Sequence, residues 1–320
     1  MTIDRLPVEV MSMVFIMLIN DVNAEHDPRK RLMRVCRRWR AILTGLVAAW
    51  TNISWSTGLA KVPGAIRCHS SSSFARAVRR AVRGNLEITL EFPAYPARPF
   101  DFRNDDWASL TVNNGNETWV SRCRRLMLVV PPGSSTAILD AIFGPFGYQF
   151  ASLMCLVLHD MGCFTVRGAL DVFLDAIANT AANLRRLELI SPYDTHIVRR
   201  LLDRGDILVR IREFKLPSHT HFSAWEALPN LTYLHVTSKN PYSDHSMDLS
   251  QLVAPMLTRL RLDGPFQPLH IPPLAIIGQL EWLELVGFPS ELTDTLRAMR
   301  PPTNEVKSLT SDGIRMEWVG

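Results

Sequence analysis

Leu257-Thr258-Arg259-Leu260-Arg261-Leu262 is one copy of a pattern, apolar-x-x-apolar-x-apolar, that recurs from residue 123 onward. The other copies are Cys123-x-x-Leu126-x-Leu128, Leu153-x-x-Leu156-x-Leu158, Leu184-x-x-Leu187-x-Leu189, Ile211-x-x-Phe214-x-Leu216, Leu231-x-x-Leu234-x-Val236 and Leu280-x-x-Leu283-x-Leu285. Their starts lie 30, 31, 27, 20, 26 and 23 residues apart. Apolar residues two positions apart share one face of a strand. A short strand with one apolar face has nothing of its own to pack against. Stacking each unit on the next solves this, because neighbours then bury one another.

The linking segments supply a second layer. Leu170, Phe173, Leu174, Ile177, Ala178 and Ala181 follow helical spacing. So do Ile138, Leu139, Ile142 and Phe143 after Ser134 and Ser135, and Ile197, Val198, Leu201 and Leu202 after Asp194, the last run ending at Gly205. From residue 217 the links carry more proline, which predicts short or irregular connections. Pattern and period together resemble leucine-rich repeats. The resemblance implies an irregular α/β horseshoe with one parallel sheet along its inner wall. Two departures are the drifting period and the near absence of the Asn or Cys that usually follows the strand. Ser308-Leu309-Thr310-Ser311-Asp312-Gly313-Ile314 contains a hairpin turn signal and predicts a two-stranded C-terminal cap.

Upstream of the repeats, Trp50-x-x-Ile53-x-Trp55 and the alternation Leu86, Ile88, Leu90, Phe92 predict strands. Between them, Ser70 to Ser73 precede Phe74, Ala77, Val78, Ala81 and Val82, an amphipathic helix with a serine cap. Its other face carries Arg76, Arg79, Arg80 and Arg83, read as solvated. Pro93 to Asn116, rich in Pro, Asn and Asp, reads as a long loop.

The first residues have a different character. Val8, Val10, Met11, Met13, Val14, Phe15, Met17, Leu18 and Ile19 form a helix with Glu9 and Ser12 as its polar residues. A helix apolar nearly all round needs cover on more than one side. About fifty residues bury too little surface to provide it. The segment therefore reads as half of an interface. After Asp27-Pro28, a helix start signal, Leu32, Val35, Cys36, Trp39, Ile42 and Leu43 fall on one helical face. That helix places Cys36 as a buried structural thiol. Arg29, Lys30, Arg31, Arg34, Arg37, Arg38 and Arg40 form its basic face, read by default as a solvated surface.

Four elements in order, Leu6-Pro7-x-Glu9-Val10, the apolar helix, Val35-Cys36-Arg37-Arg38-Trp39 and Ala49-Trp50-x-x-Ile53, resemble the F-box. The resemblance spans roughly residues 1 to 55. It implies a small three-helix module that docks a Skp-family adaptor and, through it, a cullin–RING ligase. Carried over residue by residue, the adaptor-binding positions are Leu6, Pro7, Val10, Met13, Val14, Leu18, Leu32, Val35, Cys36, Trp39 and Trp50. Asn20 to His26 is longer and more polar than the short turn usual there. The resulting organisation is an F-box over 1–55, a transitional segment and first irregular repeat with a loop excursion over 56–118, and a leucine-rich-repeat domain with a hairpin cap over 119–320.

Composition narrows the function classes. The chain of 320 residues is 47% hydrophobic and 21% charged, ordinary for a soluble globular protein of about two domains. A net charge of +4 demands no acidic partner. Five scattered cysteines, with no CxxC, fit a reducing interior. No apolar run approaches membrane length, and Met11 to Ile19 lacks the flanks of a signal peptide. There is no phosphate-binding Gly loop, nucleophile elbow or His-Glu-x-x-His, and the histidines lack acidic or Cys partners at ligand spacing. The expectation is a non-enzymatic, intracellular protein, cytoplasmic and/or nuclear, with no cofactor, metal, nucleic acid or membrane.

Partner choice then falls to the residues between the leucines, which a strand turns to the opposite face. One column reads Met127, Val157, Glu188, Lys215, His235, Arg261, Glu284; its neighbour reads Arg125, Cys155, Arg186, Glu213, Tyr233, Arg259, Trp282. A uniformly basic wall would point to nucleic acid. This mixture of both charges and aromatics points to a protein target, with Glu188, Lys215, Tyr233, His235, Arg259, Arg261, Trp282 and Glu284 as candidates. The combined expectation is a substrate-recognition adaptor of an SCF-type ubiquitin ligase. The alternative is a repeat scaffold that uses the F-box without supporting ubiquitination.

Overall fold

A computed structural model describes residues 6–21, 27–56, 64–81, 84–92, 118–130, 139, 142–159, 167–190, 204–217, 228–237, 247–264, 269–270, 274–287, 308–311 and 314–317. The chain is α/β, with short helices at its N-terminus followed by parallel sheet. It divides into two compact units: residues 1–153 with 165–176, and residues 154–164 with 177–320. The expected loop over 93–116, the helix through Ile197 to Leu202, and Arg83 lie outside the described residues.

The first unit opens with α1 (Val8–Ile19), α2 (Pro28–Val35) and α3 (Arg37–Gly45). Asp27 caps α2 by accepting from the Arg29 amide at 3.1 Å, with Pro28 in the first turn where its missing N–H costs nothing. The expected single helix through Cys36 is two helices. Cys36 is extended (φ −157°, ψ 171°), and its thiol accepts from the Trp39 amide at 3.5 Å, capping α3. Its sulfur is therefore a half-buried cap, not a core thiol. Arg29 also departs from expectation. It is 2% exposed, where the basic face was expected to be solvated. Its guanidinium donates to the Ala49 carbonyl at 2.6 Å, to the Gly64 carbonyl, and to Asp27 at 3.0 Å. Burial pushes its pKa below the ordinary value, while the Asp27 charge opposes the shift. Gly64 has φ +72°, and a Cβ there would collide with the Asn20 side chain, so the position requires glycine.

Four parallel strands follow in this unit: β1 (Asn52–Ser56), β2 (Ile66–Cys68), β3 (Leu86–Glu91) and β4 (Cys123–Val129). β1 lies between β2 and β3, and β3 pairs with β4. The Ser70 hydroxyl accepts from the Ser73 amide at 3.2 Å and starts α4 (Ser71–Arg80), whose Phe74, Ala77 and Val78 are buried. Trp119 anchors an aromatic cluster, with ring centroids 5.4 Å from Phe74, 5.7 Å from Phe143 and 5.8 Å from Phe146. Phe150 and Phe173 extend it, each within 5.6 Å of Phe143. Phe173 belongs to α5 (Arg167–Thr180), the helix expected around Leu170 to Ala181.

The second unit is built from β5 (Cys155–His159), β6 (Arg186–Ile190), β7 (Glu213–Pro217), β8 (Tyr233–Thr237), β10 (Arg259–Asp263) and β12 (Trp282–Val286), paired in parallel in that order. Every strand starts at the third position of its sequence motif. The pairing repeats at atomic detail. Arg185, Arg212, Thr232 and Thr258 carbonyls each accept from two successive amides of the next unit, at 2.8–3.1 Å. Leu184, Ile211, Leu231, Leu257 and Leu280, which open the motifs, are buried, as are the two apolar residues of every strand. Each buried leucine contributes about 1.5–3 kcal/mol.

Among the described residues, the links of this unit contain α6 (Gly205–Leu208), α7 (Leu274–Gln279) and a two-stranded parallel pair of β9 (Met247–Asp248) and β11 (Leu269–His270). Gly205 opens a one-turn helix in which Ile207 and Leu208 are buried. At the C-terminus, β13 (Ser308–Ser311) pairs in parallel with β12 and antiparallel with β14 (Ile314–Glu317), the arrangement expected of the hairpin.

Candidate functional site

Two surfaces are candidates for binding, one in each unit.

In the first unit the surface is the outer side of α1. Met11, Phe15 and Ile19 recur every four residues and form a narrow buried seam, with Phe15 packed on Trp39 at a ring distance of 5.1 Å. The rest of the helix is left over. Val10, Met13 and Met17 lie on the side opposite Phe15 by helical spacing and are 40%, 67% and 73% exposed. Leu18 and Val8 are exposed as well, and Val14 is half-buried. Met17 belongs to this face although motif matching omitted it; helical angle alone would have included it, whereas Val8 falls on the seam side and is exposed at the start of the helix.

The other expected adaptor positions divide by burial. Pro7 and Val35 are exposed, and Leu6, Cys36 and Trp39 are intermediate. Leu32 and Trp50 are buried, which removes them from any docking surface. The Trp50 indole N–H donates to the Leu43 carbonyl at 2.8 Å, and the Arg80 guanidinium sits 5.3 Å from its ring centroid. These two residues hold the module together. Of the basic side chains, Arg38 donates to the Leu6 carbonyl at 2.7 Å and Arg40 to Met33 at 3.1 Å. Lys30, Arg31, Arg34 and Arg37 stay exposed.

In the second unit the surface is the face of the sheet opposite the leucines. All eight candidate residues lie on it, in two registered rows. Glu213, Tyr233, Arg259 and Trp282 are aligned across β7, β8, β10 and β12. Lys215, His235, Arg261 and Glu284 are aligned across the same strands, with Glu188 continuing that row on β6. Tyr233 and Trp282 have ring centroids 6.2 Å apart.

This face is less open than simple alternation predicts. Val157, Glu188 and His235 are buried, because long neighbouring side chains fold over the middle row. Arg186 donates to Glu188 at 2.6 Å and reaches Glu213 at 3.3 Å. Arg261 donates to Asp263 at 2.7 Å and to Glu284 at 3.1 Å, while His235 Nε2 lies 2.8 Å from the second Asp263 oxygen. Burial alone would raise the Asp263 pKa, but the bonds from His235 and Arg261 outweigh it and hold the carboxyl below its ordinary value. Burial also lifts the Tyr233 phenol. Asp263 is the residue that motif reading missed. It sits at the fifth strand position, outside both columns, and the signal available was its spacing of two from Arg261.

Among the described residues no group of three or more His, Cys, Asp and Glu is placed to hold a metal ion, and no helix is long and apolar enough to cross a membrane. What the two surfaces offer chemically is contact: a bare apolar helix face, and a polar sheet face with an aromatic pair. No family model matches the chain, and no curated protein is similar to it in sequence.

Proposed function

We propose that this chain is a substrate-recognition subunit of an SCF-type ubiquitin ligase. Its N-terminal helices act as an F-box that docks a Skp-family adaptor and, through it, a cullin–RING ligase. Its strands act as an irregular leucine-rich-repeat horseshoe whose polar wall holds a target protein. The observation that carries the reading is the exposed stripe of Val10, Met13 and Met17 on a helix whose opposite seam is already packed. A contiguous apolar face of this kind marks a protein interface. Methionines suit such a face because they adapt to a partner's shape. The order of sequence elements from Leu6-Pro7 to Trp50 names the partner class by resemblance. The chain itself performs no covalent step; tethering raises the effective concentration of target beside the ligase, in cytoplasm or nucleus.

Co-expression with a Skp-type adaptor tests the dock. A one-to-one complex is expected for the parent chain, and loss of that complex for Val10→Asp/Met13→Asp. Both positions are exposed, so the variant keeps its fold. A parent chain that stays monomeric and ignores the adaptor overturns the reading. Ubiquitination of a captured target that depends on the same two residues separates a ligase receptor from a scaffold.

A further inference from the structure

Across strands β5 to β12, the sheet face of the second unit holds four carboxylates among the described residues, and each is already engaged. Arg186 takes Glu188 and Glu213, and Arg261 takes Asp263 and Glu284. Two cations on these same strands are left over. Among the described residues, neither Lys215 nor Arg259 makes an ion pair or a side-chain hydrogen bond. Arg259 is exposed, and it stands in register between Tyr233 and Trp282 on the two flanking strands. The face therefore presents acceptors that are spent and donors that are not, beside an aromatic pair.

We propose that this face binds an acidic segment of the target protein, with carboxylates received by Lys215 and Arg259 and an apolar side chain lying on Tyr233 and Trp282. The proposal rests on the sheet face being the target-binding surface. Charge complementarity selects the occupant. A basic segment would meet two unpaired cations and could reach the carboxylates only by displacing Arg186 or Arg261. A guanidinium that gains a carboxylate makes charge-assisted hydrogen bonds, which are roughly twice as strong as neutral ones. The geometry also sets a spacing. Lys215 and Arg259 lie two strands apart and two residues out of step, so their backbones are about 12 Å apart from standard strand separation and rise. An extended chain covers that span in about three to four residues. The ligand is thus an extended stretch carrying two acidic residues three or four positions apart, with an aromatic or large aliphatic residue near them.

The probe is a phage-displayed library of random dodecapeptides, selected on the full chain and on Lys215→Glu/Arg259→Glu. Peptides enriched on the parent are expected to carry paired Asp or Glu at that spacing next to an aromatic or large aliphatic residue. The double variant is expected to shift the enriched pool toward Lys and Arg, a reversal that structural damage would not produce. For an enriched peptide followed by fluorescence anisotropy, replacing its acids with amides is expected to weaken binding about tenfold, as is Arg259→Ala. Arg79→Ala, on an exposed position of α4, leaves it unchanged. The proposal is overturned by a parent pool without acidic excess, by the same acidic pool on the double variant, or by no enrichment at all. None of these readouts involves the adaptor, so failure of the N-terminal dock and failure of the acidic preference are observed separately.

Discussion

Replacing Arg29 with methionine tests whether a buried cation holds the N-terminal helices onto the chain that follows them. Arg29 starts in α2, yet its donors reach the carbonyls of Ala49 and Gly64, both beyond α3. Methionine keeps most of the volume and removes every donor. The buried Ala49 carbonyl left without its partner costs about 1–3 kcal/mol and the part-buried Gly64 carbonyl less, so the two together cost about 2–5 kcal/mol. Removing the charge returns part of this, because burial already disfavours the guanidinium and Asp27 is its one ion-pair partner among the described residues. The expected net loss is about 2–4 kcal/mol. Urea unfolding of the full chain, followed by tryptophan fluorescence, reads it directly, since Trp39 and Trp50 lie in the same helices and their closing turn. Arg31→Met, on an exposed position of α2, serves as control and is expected within about 0.5 kcal/mol of the parent. An Arg29→Met chain as stable as the parent, or more so, would refute the reasoning. The pocket would then be one that hydrophobic packing fills as well as a paired charge does.

Other outcomes follow from the same geometry. Leu260→Ala in β10 empties a core site that is 2% exposed and is expected to cost about 2–5 kcal/mol in urea unfolding. Asp263 has a folded pKa below its unfolded value, so its stabilising contribution is complete above the ordinary carboxylate range. That contribution is lost as the pH falls through the lower folded value, and Asp263→Asn is expected to flatten this acid limb of stability. Burial pushes the Cys68 thiol up to about 11, against a weaker opposing bond from Ser73. At pH 8 its thiolate fraction is then about one in a thousand, and iodoacetamide is expected to label the part-exposed Cys36 and Cys155 well before Cys68 or Cys123.

The sequence by itself determined the strands. Seven apolar-x-x-apolar-x-apolar motifs coincide with seven strands, because period-2 alternation is a local signal that every repeat restates. The Ser70 cap and the α5 helix were readable for the same reason: each depends on residues within a turn or two. Only tertiary structure decided where charge and burial disagree with pattern. Arg29 sits in a run of basic residues, and nothing local marks it as the one whose partners lie 20 and 35 positions away. Cys36 fits a continuous helical face, yet the chain turns there and the thiol becomes a cap. On the sheet, sequence supplied the columns, but not which cations would be consumed. Arg186 and Arg261 reach across neighbouring strands while Lys215 and Arg259 do not, and that depends on side-chain reach between strands whose residues are more than twenty positions apart in the chain.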